Sequence, residues 1–245
     1  MPIQSRHPAF LLTRPAAQSL RFAAALRLRF GGRLSVTISP LIAPEYLQPA
    51  LPEGPFTALV FTSETGVRAF ERHPMRGEIT TTRAFCVGDR TAKAARAAGL
   101  EPASANGDAI ALMRLINDAA PEGALIHFRA EHARADMAQM LRDSGFIAQS
   151  CVVYRQIPQA LAPQAIALLQ GETPLLVPLF SPRSAALFSA QVKKLCISAQ
   201  LSCVALSEAV AASLGDLPDV KLFRAAEPTA EAMLAAVAEA LDQAR

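Results

Sequence analysis

Phe10-Leu11-Leu12-Thr13-Arg14 decides the fold, because Leu125-Ile126-His127-Phe128-Arg129 repeats its pattern at an offset of about 115 residues. Each is a short apolar run that closes on polar residues and leads into a helical pattern. The first helix is built of Ala, Leu and Arg, and the second runs to Gly145. Three further matches keep the order. Phe61-Thr62-Ser63 followed by Phe70 returns as Leu179-Phe180-Ser181 followed by Phe188, with Ser and Phe seven positions apart in both. Cys86-Val87 returns as Cys203-Val204, and Ala105-Asn106-Gly107-Asp108-Ala109 as Ala226-Glu227-Pro228-Thr229-Ala230, each ahead of a helix. Ala-rich helices match one another cheaply, so the Ser, Phe, Cys and turn positions carry the duplication.

Between these landmarks β-rich apolar runs alternate with helical patterns, which predicts mostly parallel sheets covered by helices. Strands are expected at 10–13, 34–38, 57–62, 84–87, 124–128, 147–154, 175–180, 201–205 and 220–223. Helices are expected from Pro15 to Gly31, at 64–72, 90–98, 109–118, 132–143, 163–170, 183–194 and 208–214, and from 230 onward. Asp108 reads as an N-cap. The stretch holding Pro44, Pro49, Pro52 and Pro55 reads as a connection. A short strand–helix–strand unit and a longer unit therefore each occur twice, in alternation. Two packings fit that order. Tandem lobes would pair neighbours, whereas a swapped arrangement would pair the first short unit with the second long one. In the swapped form Leu34–Ile38 and Val152–Tyr154 would cross between lobes side by side.

Composition narrows the classes. With 245 residues and 51% apolar content the chain has length enough for real cores. A net charge of +3 is too small to argue for nucleic acid. Lys occurs only at 93, 193, 194 and 221, so the positive charge is nearly all Arg, which suits two-point recognition of carboxylate or phosphate. Cys86, Cys151, Cys196 and Cys203 lack paired spacing and read as buried thiols of a reducing compartment. No apolar run reaches the roughly 20 residues that span a bilayer, and the first residues lack the apolar core of a signal peptide. A cytoplasmic protein without membrane contact is expected.

Thr13-Arg14-Pro15, Thr62-Ser63, Gly88 to Thr91 and Ser181-Pro182 form a series of strand-to-helix turns, most bearing hydroxyls. In parallel α/β sheets such turns gather at the carboxyl edge, where ligands bind, although Ser and Thr there are also ordinary helix caps. Val87-Gly88-Asp89-Arg90-Thr91 lacks the dinucleotide pattern, and neither His127 nor His132 has metal-site spacing. His127 reads as structural and His132 as exposed.

Taken in order, these residues resemble the uroporphyrinogen-III synthase family. The resemblance runs through Leu12-Thr13-Arg14-Pro15, Phe61-Thr62-Ser63, Gly66-Val67-Arg68-Ala69-Phe70, Val87-Gly88 and Thr91-Ala92. It resumes at Phe128-Arg129-Ala130-Glu131, Arg134-Ala135-Asp136-Met137, Gly145-Phe146 and Val152-Val153-Tyr154, and ends with Phe180-Ser181-Pro182 and Ala226-Glu227-Pro228-Thr229. It implies an α/β fold of two similar lobes with parallel sheets, joined by a two-strand linker, with the active site in the interlobe cleft. The first lobe would hold 1–36 and 158–245, the second 42–150, and the linker strands 37–41 and 151–157. The activity implied is a lyase that closes linear hydroxymethylbilane with loss of water and inversion of the terminal ring, giving uroporphyrinogen III on the route to haem. Loss of the hydroxyl leaves an azafulvene, and attack through the substituted ring carbon forms a spiro intermediate that fragments and recloses. Spontaneous closure gives the uninverted isomer, so positioning is most of the enzyme's task.

On this resemblance Tyr154 is the proton donor to the departing hydroxyl. Thr13, Arg14, Thr62, Ser63, Gly88, Thr91, Arg129, Ser181 and Ser207 would bind the carboxylate-rich substrate, and Arg134 would reach carboxylates as well. No cofactor and no metal are expected. A monomer is expected, with transient contact to the upstream hydroxymethylbilane synthase. Where family members have Gly-Pro and a Thr, this chain has Leu206-Ser207-Glu208-Ala209, which puts the Glu208 carboxylate near a polyanionic substrate. The competing class is a bilobal, non-catalytic binding module for a small polyanionic ligand.

Overall fold

Apolar runs of four to seven residues, each punctuated by a turn, set up the elements of this computed structural model, which describes residues 8–32, 34–133, 135–217 and 219–243. In chain order they begin β1 (Ala9–Leu12), α1 (Ala16–Phe30), β2 (Val36–Ile38), β3 (Ile42–Tyr46), β4 (Phe56–Phe61) and α2 (Glu64–Glu71). Next come β5 (Arg83–Cys86), α3 (Asp89–Ala97), β6 (Glu101–Ser104), α4 (Ala109–Ala119), β7 (Ala124–Ala130) and α5 (Met137–Asp143). The long β8 (Ile147–Pro158) leads to α6 (Pro163–Gln170), β9 (Leu175–Leu179) and α7 (Pro182–Val192). The chain closes with β10 (Leu201–Ala205), α8 (Glu208–Ala212), β11 (Val220–Arg224) and α9 (Ala230–Asp242).

The strands divide between two sheets, ordered β11-β10-β9-β1-β2 and β3-β8-β7-β4-β5-β6. The pairing is therefore the swapped one: the first short unit completes the sheet of β9 to β11, and β4 to β6 complete the sheet of β7 and β8. Every registered neighbour pair in both sheets is parallel. The chain accordingly falls into two compact units. One gathers residues up to Ala43 and from Pro158 onward, and the other is Pro44–Ile157.

Each sheet is covered on both faces, which is why its strands read as near-continuous apolar runs. In the first unit Leu11, Val177 and Cys203 pack with α6 and α7 side chains, among them Ala165, Leu169 and Phe188. On the other face Phe10, Leu12 and Val204 meet Phe22 and Leu26 of α1 and Met233 and Val237 of α9. In the second unit Leu59, Phe61, Ile126 and Phe128 face Val67 and Phe70 of α2 and Ala92 and Ala95 of α3. Ala58, Val60 and Leu125 face Leu112 and Ile116 of α4 and Leu141 of α5.

Several elements depart from expectation. Val36–Ile38, expected to cross between lobes, is the edge strand of the first sheet, paired with β1 from Phe10↔Val36 to Leu12↔Ile38. The first passage between units instead lies in β3, inside the stretch expected as a proline-rich connection. Pro44 is tolerated there because β3 is an edge strand, where a missing N–H leaves no ladder bond unmade. β6 was not expected either: it is a four-residue polar edge strand carrying Pro102, a composition that guards a sheet edge. β8 runs on to Pro158, four residues past the expected end, and holds the second passage. The helix expected from 132 starts at Met137, because the Asp136 side chain accepts from the Gln139 N–H and fixes the start there. Arg134 lies outside the described residues.

Gly66 holds one close approach in place. A Cβ at this position would lie 2.9 Å from the Phe128 carbonyl oxygen and 3.4 Å from Ser63 Oγ, so the first turn of α2 sits against β7 only because no side chain intervenes. Gly66→Ala is expected to destabilise the protein by about 1–3 kcal/mol, despite the roughly 1 kcal/mol that Ala gains over Gly in a helix. Thermal denaturation beside Gly32→Ala, where a Cβ would meet nothing within 4 Å, checks this.

Candidate functional site

The carboxyl ends of β4, β7 and β8 bring together residues more than sixty positions apart. The β4–β7 register sets Val60 against His127 and Phe61 against Phe128, and a bulge after Arg129 sets Ala130 against Tyr154. That register carries Thr62 and Ser63, the first residues past β4, alongside the ends of both neighbours. Ser63 caps α2: its Oγ accepts from the Gly66 N–H at 3.0 Å. The same Oγ lies 3.0 Å from Tyr154 Oη. Tyr154 is 6% exposed, and its ring joins the core of Phe61, Phe70 and Phe128. Burial pushes its phenol above the ordinary value, the Ser63 hydrogen bond pulls the other way, and nearby Tyr46 adds to the rise. Tyr154 therefore stays a protonated, neutral donor at neutral pH.

Thr62 turns to a second partner. Its Oγ1 lies 3.1 Å from His127 Nε2. His127 is 1% exposed, and its Nδ1 is buried with no hydrogen-bond partner among the described residues. Burial holds its pKa down to about 4, Arg129 adds to the fall, and Asp136 opposes it. The imidazole is thus a neutral, structural group. Arg129 is tied to its own turn, with Nη1 donating to Ala130 O at 3.0 Å and to Glu131 O at 3.2 Å, while its Nε is buried without a partner among the described residues. At the neighbouring β5–α3 turn Gly88 is the N-cap in extended conformation and Thr91 is buried in the first turn. His132 is exposed, within 3.7 Å of Glu131.

The first unit carries its own carboxyl-edge set. Thr13 is 1% exposed at the end of β1, and its Oγ1 has no hydrogen-bond partner among the described residues. Arg14 stacks its guanidinium 3.9 Å from the Phe180 ring centre and donates from Nε to Gln18. Ser181 caps α7, accepting from the Ser184 N–H at 3.2 Å and donating to Ser184 Oγ at 2.9 Å. Ser207 is the N-cap of α8 with no side-chain cap bond. Glu208 forms an ion pair with Arg224 at the end of β11, so the carboxylate at this edge is compensated. Sequence reading missed Arg224. Its only signal was a basic residue ending the strand after the one that leads into Glu208.

The cysteines divide. Cys86, Cys151 and Cys203 are buried, and burial pushes their thiols up to about 12, 11 and 12, which leaves no thiolate near neutral pH. Cys196, expected to be buried, is exposed. No helix among the described residues is long and apolar enough to cross a membrane.

A family model described as uroporphyrinogen-III synthase HemD matches residues 22–235. Among solved structures, uroporphyrinogen-III synthetase from Helicobacter pylori 26695 is similar over 95% of this chain and 99% of its own, at 15% identity and a TM-score of 0.61. That likeness is one of fold. A mutant uroporphyrinogen III synthase from the extremely thermophilic bacterium Thermus thermophilus aligns over 96% of this chain and 99% of its own, at 16% identity, with a TM-score of 0.47 that carries no argument. No curated protein matches the chain.

The buried imidazole generates a prediction. Unfolded, His127 takes up a proton near its ordinary value of 6.5, whereas folded it resists until about 4. The stability of the neutral form is whole above about 6.5 and drains away as pH falls through that window, by about 1.4 kcal/mol per pH unit. Chemical denaturation at a series of pH values should show this slope in the native chain and a flatter one in His127→Gln. Equal slopes would count against it.

Proposed function

This chain belongs to the uroporphyrinogen-III synthase family, and from that membership we infer how its own residues do the family's work. The activity is that of a cyclising lyase of tetrapyrrole biosynthesis: hydroxymethylbilane loses water and closes with its terminal ring inverted, giving uroporphyrinogen III. In our reading Tyr154 gives its phenolic proton to the departing hydroxyl. One observation carries this: the Tyr154 phenol, neutral and held 3.0 Å from Ser63 Oγ, stands at the carboxyl edge of its sheet, where parallel α/β folds bind ligands.

The substrate's carboxylates need donors more than fixed cations. Helix starts supply them, because the first N–H groups lack partners within the helix and the dipole favours negative charge. In our reading the first turns of α2 and α3, with Thr62, Gly88 and Thr91, serve the second unit, and Thr13, Arg14, Ser181 and Ser207 serve the first. Arg129, already bonded to two backbone carbonyls, contributes mainly by fixing the turn after β7. Pairing with Arg224 stops Glu208 from repelling the substrate.

Loss of the hydroxyl leaves an electrophilic end that the terminal ring attacks at its substituted carbon. Free bilane closes without inversion, so the chain's largest contribution is to hold that geometry. We further infer that the chain acts as a single copy in the cytoplasm. Because the free bilane closes by itself, it takes substrate through brief contact with the upstream hydroxymethylbilane synthase.

Purified protein given freshly generated hydroxymethylbilane is expected to yield mainly the type III isomer. Tyr154→Phe should lower kcat by about tenfold or more while the isomer stays type III, since proton donation and folding of the bilane are separate tasks. Type I product from the unaltered protein would refute the synthase reading. Full activity of the variant would remove Tyr154 from the chemistry.

A further inference from the structure

We propose that Ser63 is the positioning residue of Tyr154, holding the phenol in line for proton transfer and steadying the phenolate that transfer leaves, and that it is not a substrate ligand. This rests on Tyr154 being the proton donor, and it gives Ser63 a different role from the carboxylate contact expected from sequence.

A serine hydroxyl has one proton and two lone pairs. One lone pair of Ser63 Oγ is engaged by the Gly66 N–H at 3.0 Å, and the remaining neighbour is Tyr154 Oη, also at 3.0 Å. The hydroxyl is thereby committed on both sides within its own unit. Its partnership with Gly66 anchors it to the first turn of α2, whose dipole presents positive potential there. The absence of a Cβ at Gly66 lets that turn approach the Phe128 carbonyl, which fixes Ser63 beside β8.

The proton moves as follows. The Tyr154 O–H bond breaks as the departing hydroxyl takes the proton, the substrate C–O bond breaks with it, and water leaves. Of the two senses the Ser63–Tyr154 bond can take, only donation from Ser63 leaves the tyrosine proton free to go and stabilises the phenolate left behind. The phenolate recovers a proton when the closed ring system loses one from carbon to regain aromaticity, so the residue ends as it began. The groups facing the phenol are Ser63 from the α2 turn and Tyr46 from β3, and the backbone of Tyr154 accepts from the Glu131 N–H. Tyr46 itself lies under the Arg72 guanidinium, 4.7 Å away.

The chain contains two tyrosines and no tryptophan, which makes the test direct. In a Tyr46→Phe background the near-ultraviolet absorbance of tyrosinate reports Tyr154 alone. Biosynthetic fluorotyrosine brings its ionisation into a range the fold tolerates. Ser63→Gly removes the hydroxyl but keeps a residue well accepted at an N-cap, and Ser63→Thr restores a hydroxyl. The expected result is that Ser63→Gly raises the Tyr154 midpoint by about one pH unit or more. kcat should fall about tenfold with KM little changed, and Ser63→Thr should recover both readouts. An unmoved midpoint overturns the proposal. So does a raised KM with kcat intact, which would make Ser63 a substrate ligand. A raised midpoint with full kcat overturns the proton-donor reading beneath it, a failure distinct from the other two.

Discussion

The parallel pairing of β4 with β7 is the constraint on which the candidate site depends. It joins two segments separated by more than sixty residues and sets Phe61 against Phe128, whose rings stack with centres 5.6 Å apart. Phe70 of α2 packs on the same ring at 4.8 Å, so strand register and helix position are fixed by one aromatic cluster. A one-residue slip would turn these rings to the opposite face and carry Thr62 and Ser63 away from His127 and Tyr154. The hydrogen bonds of the site are short because the apolar packing beneath them leaves the strands no alternative register.

At this edge the second unit has little fixed charge. Tyr154 and His127 are both held neutral by burial, and Arg129 is occupied with its own turn. What remains for a polyanion is a set of helix starts and hydroxyls, donors that bind carboxylates without demanding one arrangement of charges. Such a surface suits a flexible substrate whose chain must be folded more than gripped. In the first unit the pairing of Glu208 with Arg224 serves the same end by cancelling the carboxylate that sequence places at the edge.

Much of the fold was legible because strands buried on both faces write themselves as apolar runs. The duplicated Phe61-Thr62-Ser63 and Leu179-Phe180-Ser181 turns also mark equivalent helix starts. The swapped pairing stayed open, since strand order within a sheet is a tertiary choice that no local pattern records. β3 and β6 were missed because edge strands admit proline and polar residues, which erases the signal on which strand reading relies. Asp136 with Gln139 did spell the start of α5, but the longer Ala- and Arg-rich pattern ahead of it overrode that signal. Tyr154, Thr62 and Ser63 were singled out by sequence. That Ser63 meets Tyr154 while Thr62 meets His127 follows from register and pleat, which only the assembled sheet supplies.

The most direct test of this account is residue-resolved amide exchange with and without uroporphyrinogen III under anaerobic conditions. The account predicts slowed exchange across residues 62–67, the turn and first helical residues around Ser63, together with 152–155 around Tyr154. Ligand protection confined to other parts of the chain, with these two stretches unchanged, would contradict the assignment of the reacting site to this edge.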